Sequence, residues 1–207
     1  MARHPARPSK IVCVGRNYVA HARELGNEVP ERPLLFLKPP SSLIGDGEAI
    51  ILPPQSSRVE HEGEIGVVIG VRAKHVAEAE ALAAVAGYVA LNDVTARDLQ
   101  KLDVQFTRAK GFDTFCAVGA AAAARGIDWR ALEVICRVNG TLRQHGKARD
   151  MAFGIPTLIA FITSVMTLEP GDIVATGTPE GVGPLVNGDV VEVELPGIAR
   201  VSNPVRT

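Results

Sequence analysis

The segment VEHEGEIGVVIG, residues 59–70, places two glutamates two positions apart at the start of an uninterrupted apolar run. Side chains at positions i and i+2 of a strand lie on the same face, so Glu62 and Glu64 are expected to sit side by side where the strand enters the core. Like charges held together repel each other, and burial strengthens the repulsion. The pattern predicts a buried strand with two carboxylates at its edge and a positive group between them.

The apolar run has no polar face, which favours a central strand covered on both sides. Around it the chain alternates short apolar segments with glycine- and proline-rich turns and shows no regular βαβ order. We therefore predict an α+β fold, mostly β, built as a mixed β-roll or sandwich with short flanking helices.

Local patterns predict individual elements. The alanine-rich residues 75–88 and the segment 155–166, with Pro156 in its first turn, are predicted as helices. Alternation on either side of Asn139-Gly140 predicts a hairpin with a type I′ turn. We predict one domain over residues 11–207, preceded by a flexible N-terminal arm, residues 1–10.

Composition narrows the function classes. Lysine and arginine number 22 against 23 acidic residues, a net charge of −1, which argues against a nucleic-acid or membrane-adhering surface. The three cysteines lie in apolar runs and are predicted to be buried thiols of a reducing compartment. The apolar stretches are too short to span a bilayer, so we predict a cytoplasmic protein without a membrane or nucleic-acid partner.

A third carboxylate, Asp93, follows the predicted strand YVALN. If this strand end neighbours Glu62 and Glu64, three carboxylates converge at one edge of a sheet. A divalent cation such as Mg²⁺ would relieve their repulsion and keep open positions for water or substrate. The alternative is that the E-x-E pattern marks a solvated strand face.

Two further positions suggest acid–base chemistry. His21 and Glu24 are three residues apart in a predicted helical turn, where a carboxylate can orient the imidazole so that it activates water. The alternative is an ordinary histidine–glutamate pair on a surface helix. Lys110, in the segment FTRAKGFDTF, suits stabilisation of a developing enolate if it lies near the carboxylates; alone it is a loop lysine.

The sequence lacks the common motifs of nucleotide-binding proteins and of serine hydrolases. The segment TGTPEGVG, residues 176–183, matches neither G-x-G-x-x-G nor the P-loop, and the chain has no G-x-S-x-G. The sequence therefore gives no sign of a nucleotide site or of a serine hydrolase.

Seven segments, in order along the chain, resemble the fumarylacetoacetate hydrolase family, most closely its short single-domain branch of acylpyruvate hydrolases and oxaloacetate decarboxylases. The segments are VGRNYVAHARELG, FLKPPSSL, HEGEIGVVIG, ALNDVTARDLQ, FTRAKGFDTF, VNGTLRQ and GDIVATGTPEGVGP. The resemblance implies a mixed β-roll, a homodimer, and one catalytic domain over residues 11–207.

The resemblance also implies roles for individual residues. Glu62, Glu64 and Asp93 would hold Mg²⁺ or Mn²⁺. His21 and Glu24 would form a catalytic dyad, with Lys110 as the family lysine. Arg16, Gln100 and Thr178 would contact the carboxylate or oxo groups of the substrate.

The implied reaction is hydrolysis of a C–C bond in acylpyruvate-type 1,3-dicarbonyl acids, such as fumarylpyruvate or acetylpyruvate, through an enolate formed on the chelated substrate. The same site would also serve oxaloacetate decarboxylation or tautomerisation, or isomerisation of 2-hydroxyhepta-2,4-diene-1,7-dioate. A protein of another class, a catalytically idle metal-binding scaffold, is the non-enzyme alternative.

Three features bear on how the family pattern is realised here. Residues 116–120 read CAVGA, where relatives often have C-P-x-G-P, and this predicts altered loop rigidity after Lys110. His61 stands where many relatives have tyrosine, and either tunes the surroundings of the metal or simply packs. Residues 26–32, GNEVPER, are predicted to be a lid that orders over bound substrate.

Overall fold

The computed structural model describes residues 7–24, 26, 28 and 30–207. The fold is mostly β, with 22% of residues helical and 38% in strands, and this confirms the predicted α+β, mostly β class. The strands are β1 (Ile11–Gly15), β2 (Leu34–Lys38), β3 (Leu43–Ile44), β4 (Ile50–Ile51), β5 (Val59–His61), β6 (Gly63–Ile69), β7 (Val85–Asp93), β8 (Thr95–Ala96), β9 (Cys116–Val118), β10 (Ala122–Ala123), β11 (Glu133–Val138), β12 (Thr141–Lys147), β13 (Ile173–Ala175), β14 (Gly183–Pro184), β15 (Val190–Leu195) and β16 (Ala199–Arg206).

Short helices connect these strands. The α-helices are α1 (Val19–Glu24), α2 (Arg97–Leu102), α3 (Thr107–Lys110) and α4 (Ile155–Val165), and the 3₁₀ turns are Pro40–Ser42, Glu78–Ala84, Trp129–Ala131 and Ala148–Asp150. Helix α4 is the predicted second helix, with Pro156 in its first turn, where the missing N–H costs no hydrogen bond.

An eight-stranded sheet contains residues 63–69 of the segment VEHEGEIGVVIG. Its order is β2-β1-β13-β6-β7-β9-β3, with β10 added beside β7. Strand β6 lies between β13 and β7, and each of its residues is buried. The predicted central strand is thus confirmed, because neighbours on both edges and apolar packing on both faces surround it.

The chain also forms a five-stranded sheet, in the order β12-β11-β15-β16-β4, and a small sheet of β14, β5 and β8. Strands β11 and β12 form the predicted hairpin, and Asn139 and Gly140 at its turn have φ angles of 52° and 76°. A type I′ turn requires positive φ at both central positions, so the turn prediction is confirmed. The five-stranded sheet packs against β6 and β7.

The predicted helix over residues 75–88 is wrong. Only Glu78–Ala84 is helical, as a 3₁₀ turn, and β7 begins at Val85. Residues 85–92 pair with β6, and Tyr88 and Val89 are buried there. Strand pairing and burial of these side chains override the helix propensity of the alanines.

No helix within the described residues is long and apolar enough to cross a membrane. Cys13, Cys116 and Cys136 are free and buried, as predicted. Residues 1–6 of the predicted arm lie outside the described residues, whereas Ser9 and Lys10 bond to the Asp172 carboxylate through their backbone N–H groups and side chains.

Candidate active site

One cavity of about 420 Å³ gathers the residues predicted to be functional. All nine of them line it: Arg16, His21, Glu24, Glu62, Glu64, Asp93, Gln100, Lys110 and Thr178. Their clustering agrees with the site predicted from the sequence, and their roles in chemistry stay predictions.

The three carboxylates meet because β6 and β7 are antiparallel neighbours. Gly63 pairs with Asn92, and the Asp93 N–H donates to the Glu62 carbonyl at 2.9 Å. The start of one strand therefore lies beside the end of the other. Glu62, Glu64 and Asp93 are buried, and one ligand atom from each lies within 4.8 Å of the others.

Lys110 supplies a positive charge between two of the carboxylates. Its Nζ donates to Glu62 Oε2 at 2.8 Å, to Asp93 Oδ2 at 2.7 Å and to the Thr95 hydroxyl at 2.8 Å. Burial alone would raise the pKa of Glu62, but Lys110 and the Arg97 guanidinium together hold that pKa well below its ordinary value. Burial would likewise lower the pKa of Lys110, and Asp93 and Glu62 raise it instead.

Lys38 is a second buried cation, which the sequence reasoning missed. It ends β2 at 1% exposure, and its Nζ donates to Asp93 Oδ1 at 2.5 Å and to the Val94 carbonyl at 3.1 Å. Both Asp93 oxygens are thus held, one by Lys38 and one by Lys110. The only sequence signal is a lysine that closes the apolar run LLFLK, and such a lysine ordinarily extends its ammonium into solvent.

Arg97, the first residue of α2, is a third buried cation that the sequence reasoning missed. It donates through Nε to Glu60 at 2.7 Å, through Nη2 to Glu62 at 2.5 Å and through Nη1 to Gln100 Oε1 at 2.5 Å. Arg97 therefore orients a predicted metal ligand and a predicted substrate residue together. Glu60 thus joins Glu62, Glu64 and Asp93 as a fourth buried carboxylate. Its position beside His61 in the sequence gives no sign that it pairs with Arg97.

Glu64 differs from the other carboxylates. Its Oε2 accepts the Gly177 N–H at 2.8 Å, and among the described residues it has no ion-pair partner. Burial, and then the charges of Asp93 and Glu62, raise its pKa well above the ordinary value.

The donor set fits a hard divalent cation. Glu60, Glu62 and Asp93 each form an ion pair with a buried lysine or arginine, whereas Glu64 has no such partner among the described residues. Three carboxylates within ligand distance of one another are an oxygen-only set of the kind that Mg²⁺ and Mn²⁺ prefer. A cation bound beside Glu64 would supply the positive partner that this carboxylate lacks among the described residues.

The predicted dyad forms on helix α1. His21 Nδ1 lies 3.2 Å from Glu24 Oε2, and His21 is 5% exposed. A carboxylate only accepts hydrogen bonds, so Nδ1 carries the proton and Nε2 is left as the base. Glu24 is held in turn by the Gly181 N–H, at 3.0 Å from Oε1.

The three residues predicted to bind substrate differ from one another in backbone conformation and in hydrogen-bond partners. Arg16 has a φ of 58°, a left-handed conformation that is uncommon for arginine and typical of functional sites. Gln100 is bonded to Arg97, as described above. The Thr178 hydroxyl bonds to the Gly63 carbonyl at 2.9 Å and to Gln144 at 2.7 Å.

The structure describes both positions at which the sequence departs from the family pattern, His61 and the segment CAVGA. His61 is buried, with Nδ1 3.0 Å from Gln144 Oε1, and burial lowers its pKa. The segment CAVGA begins with β9, whose three residues are buried, and Gly119 donates its N–H to the Ala90 carbonyl. Within the predicted lid, residues 27 and 29 lie outside the described residues.

The chain belongs to the fumarylacetoacetate hydrolase family. The family model for the fumarylacetoacetate (FAA) hydrolase C-terminal domain matches residues 10–206. This confirms the resemblance seen in the seven sequence segments.

Several relatives carry names that describe a reaction. The chain is 43% identical over 198 residues to a mitochondrial oxaloacetate tautomerase FAHD1 of Arabidopsis thaliana, covering 93% of this chain and 89% of that one. A crystal structure of a 2-hydroxyhepta-2,4-diene-1,7-dioate isomerase from Mycobacterium marinum matches with a TM-score of 0.89 at 43% identity, covering 98% and 76% of the two chains.

A third relative was solved with a metal. A crystal structure of fumarylpyruvate hydrolase from Pseudomonas aeruginosa, in complex with Mn²⁺ and pyruvate, matches with a TM-score of 0.90 at 26% identity, covering 100% of this chain and 99% of that one. These three relatives are thus named for three different reactions.

Proposed function

We propose that the protein is a Mg²⁺- or Mn²⁺-dependent hydrolase that cleaves a C–C bond in acylpyruvate-type 1,3-dicarbonyl acids, such as fumarylpyruvate or acetylpyruvate. The observation that carries the proposal is the His21–Glu24 dyad, which lines the same cavity as the three carboxylates and Lys110. A base that activates water is needed for hydrolysis and not for loss of CO₂ or relocation of a proton.

The proposed metal site is Glu62, Glu64 and Asp93. A divalent cation held there would act as a Lewis acid that withdraws negative charge from the oxygens of a bound oxo-acid. The support is the oxygen-only donor set, in which Glu64 lacks an ion-pair partner among the described residues, together with the Mn²⁺ in the fumarylpyruvate hydrolase of P. aeruginosa.

The residues of the chain divide the remaining work. Arg16 and Gln100 bind the substrate. Glu24 orients His21, whose Nε2 takes a proton from the water that attacks the distal carbonyl. The Lys110 ammonium stabilises the negative charge that develops on the enolate as the C–C bond breaks.

Oxaloacetate is the second candidate substrate, by tautomerisation or decarboxylation. It is favoured by the 43% identity to the oxaloacetate tautomerase of A. thaliana. Isomerisation of 2-hydroxyhepta-2,4-diene-1,7-dioate is supported in the same way by the M. marinum isomerase.

The test is a panel of acetylpyruvate, fumarylpyruvate and oxaloacetate, each with Mg²⁺, with Mn²⁺ and with chelator. We expect the enol absorbance of the acylpyruvates to decay only with metal, and His21→Ala to abolish that decay. Unchanged acylpyruvate absorbance, with tautomerisation of oxaloacetate or release of CO₂ from it, would establish the second candidate instead. Metal binding with no turnover of any panel member would support the idle scaffold.

We further propose a homodimer, as the family resemblance implies. Light scattering coupled to size-exclusion chromatography should give twice the 21.9 kDa of one chain. A monomer at micromolar concentration would contradict the proposal.

A further inference from the structure

Two phenylalanine rings form one side of the cavity. Phe36 lies on β2 and Phe106 directly precedes α3, and both residues are half-buried and line the cavity. The ring centroids are 5.5 Å apart and the ring planes meet at 81°, an edge-to-face arrangement that stabilises aromatic pairs. We call these two rings the aromatic wall.

The aromatic wall lies beside the carboxylates. Side chains alternate along a strand, so Phe36 and Lys38 share one face of β2. On that face Lys38 Nζ donates to Asp93 Oδ1 at 2.5 Å. Lys110 Nζ, which donates to the other Asp93 oxygen, lies 5.0 Å from the centroid of the Phe36 ring. A ligand bound at the carboxylates therefore has the Phe36 ring within reach, and the Phe106 ring continues the wall.

Gly15 leaves room beside the aromatic wall. It pairs with Leu34 at the end of β1 and lines the cavity. A Cβ at this position would lie 3.8 Å from Phe106 Cε2 and 3.3 Å from Leu34 Cδ2. Because glycine has no Cβ, this space against the Phe106 ring stays open to a ligand.

The chemistry of a 1,3-dicarbonyl acid decides which of its parts suits these rings. Its carboxylate and oxo groups need charged or hydrogen-bonding partners, which the proposed metal site, Arg16 and Gln100 would supply. The acyl substituent is the part that can be apolar, and burial of apolar surface against aromatic rings is favourable. The cavity, at about 420 Å³, is within the range that holds drug-sized ligands, and acetylpyruvate would leave much of it unfilled.

We propose that the preferred substrate is an acylpyruvate whose acyl group is aromatic, such as benzoyl, and that Phe36 and Phe106 are the residues that select it. The inference deepens the proposed function and rests on it. Water adds across the C–C bond, so the products are the aromatic carboxylate, pyruvate and one proton. An acyl group that ends in a carboxylate, as in fumarylpyruvate, would lose hydration against the rings and is disfavoured.

The binding test uses two oxo-acids that lack the second oxo group and are not substrates for hydrolysis. The carbon skeleton of benzoylpyruvate is retained in 2-oxo-4-phenylbutanoate, and that of acetylpyruvate in 2-oxopentanoate. Calorimetry on the Mg²⁺-loaded protein gives the two dissociation constants. We expect the phenyl compound to bind at least about tenfold more tightly, which is the scale of discrimination in a hydrophobic pocket.

Variants of the aromatic wall assign this preference to its residues. Phe106→Ala removes one ring and should weaken the phenyl compound by at least about fivefold, and 2-oxopentanoate by less than about twofold. Phe106→Leu keeps an apolar side chain and should retain most of the preference. Gly15→Ala fills the space beside the ring and should weaken the phenyl compound alone.

Phe161→Ala is the matched control. Phe161 is a half-buried phenylalanine of α4 and is not among the residues that line the cavity, so neither dissociation constant should change. Thermal melting of each variant establishes that it is folded.

Turnover tests the substrate itself. We expect kcat/KM for benzoylpyruvate to exceed the values for acetylpyruvate and fumarylpyruvate by at least about tenfold, and this ratio to fall in Phe106→Ala. A preference for fumarylpyruvate would overturn the inference and would indicate that Lys101, an exposed residue that lines the cavity, binds a second carboxylate.

The inference and the proposed function can fail separately. Equal binding of the two oxo-acids, or equal weakening of both in Phe106→Ala, would overturn the inference, while hydrolysis of acetylpyruvate would leave the proposed function standing. If no acylpyruvate is cleaved with either metal, the proposed function fails, and the choice of substrate fails with it.

Discussion

Glu64 is a buried carboxylate whose ionised form is opposed by its surroundings. Burial and the charges of Asp93 and Glu62 raise its pKa, and the Gly177 N–H offsets this only in part. A residue of this kind is retained at a cost in stability, and such costs are typical of functional sites.

Glu64→Gln separates the functional role of this residue from its effect on stability. Glutamine keeps an oxygen for the Gly177 N–H and removes the charge. We expect Mg²⁺ affinity, measured by calorimetry, to fall at least about tenfold. The free energy of unfolding in chelator should rise by on the order of 1 kcal/mol, since one unit of pKa shift corresponds to about 1.4 kcal/mol.

The matched control for this substitution is Glu169→Gln. Glu169 is a surface residue paired with Arg72, and an exposed pair contributes little, so neither quantity should change. Unaltered Mg²⁺ binding in Glu64→Gln would show that the metal assignment is wrong.

Lys38 offers a contrasting case, because its charge is fully paired. Its side chain is 0% exposed and bonded to Asp93, and breaking a buried ion pair leaves an uncompensated charge. We expect Lys38→Met to lower the free energy of unfolding by about 3–5 kcal/mol, measured by urea denaturation. Lys10→Met removes the partner of Asp172, whose lysine is 20% exposed, and should cost clearly less. Equal losses for the two variants would contradict a special role for the buried pair.

At the scale of elements, the pairing of β6 with β7 creates the site. The sequence allowed this to be predicted, because E-x-E before a buried strand and an aspartate after another converge only if the strand ends are neighbours. The partners of those carboxylates could not be predicted in the same way. Lys38 and Arg97 are residues ordinarily found at the surface, and what buries them is tertiary packing around charges distant in the chain. The helix predicted over residues 75–88 is wrong for a related reason, because strand pairing there outweighs the local helix propensity.

Helix α1 depends on the loop that follows β13. Gly181, in this loop, has a φ of 94°, and a Cβ at this position would lie 2.1 Å from the Arg143 carbonyl oxygen. The loop must shift to accept any side chain, and the Gly181 N–H then no longer holds Glu24. We expect Gly181→Ala to lower kcat by at least about tenfold through the dyad, with Mg²⁺ affinity retained.

Gly197→Ala is the control for the backbone strain itself. Gly197 also has a positive φ, 71°, but nothing lies within 4 Å of its would-be Cβ. This variant should lose about 1–2 kcal/mol of stability and keep its kcat. If both variants keep kcat, the loop does not position Glu24.

At the scale of the whole molecule, hydrogen bonds around the cavity connect all three sheets, because Glu60 bonds to the lining residue Arg97 and Gln144 bonds to the lining residue Thr178. Glu64 and Asp93 come from the eight-stranded sheet, Glu60 from the small sheet, and Gln144 from the five-stranded sheet. The site therefore cannot be lost locally while the fold stays intact around it, and the ionisation of its carboxylates is coupled to global unfolding.

Glu64 and Glu62 should change the free energy of unfolding in opposite directions as the pH rises. Because the folded-state pKa of Glu64 is raised above its usual 4.5, the folded protein holds the extra proton. The stability that this provides is present below about pH 4.5 and is lost as the pH rises through the raised value. The pKa of Glu62 is lowered, so its contribution is present above about pH 4.5 and is lost as the pH falls.

Urea unfolding in chelator, from about pH 2 to pH 8, can separate the two contributions. In Glu64→Gln the decline of stability with rising pH that Glu64 causes should disappear, whereas the loss in acid, to which Glu62 contributes, should remain. The stability of the variant relative to wild type should therefore increase as the pH rises. Glu169→Gln should follow the wild-type curve at each pH, because its exposed pair contributes little. Parallel curves for Glu64→Gln and wild type would mean that the Glu64 carboxylate titrates alike in the folded and unfolded chains, and that burial and the charges of Asp93 and Glu62 do not oppose its ionisation.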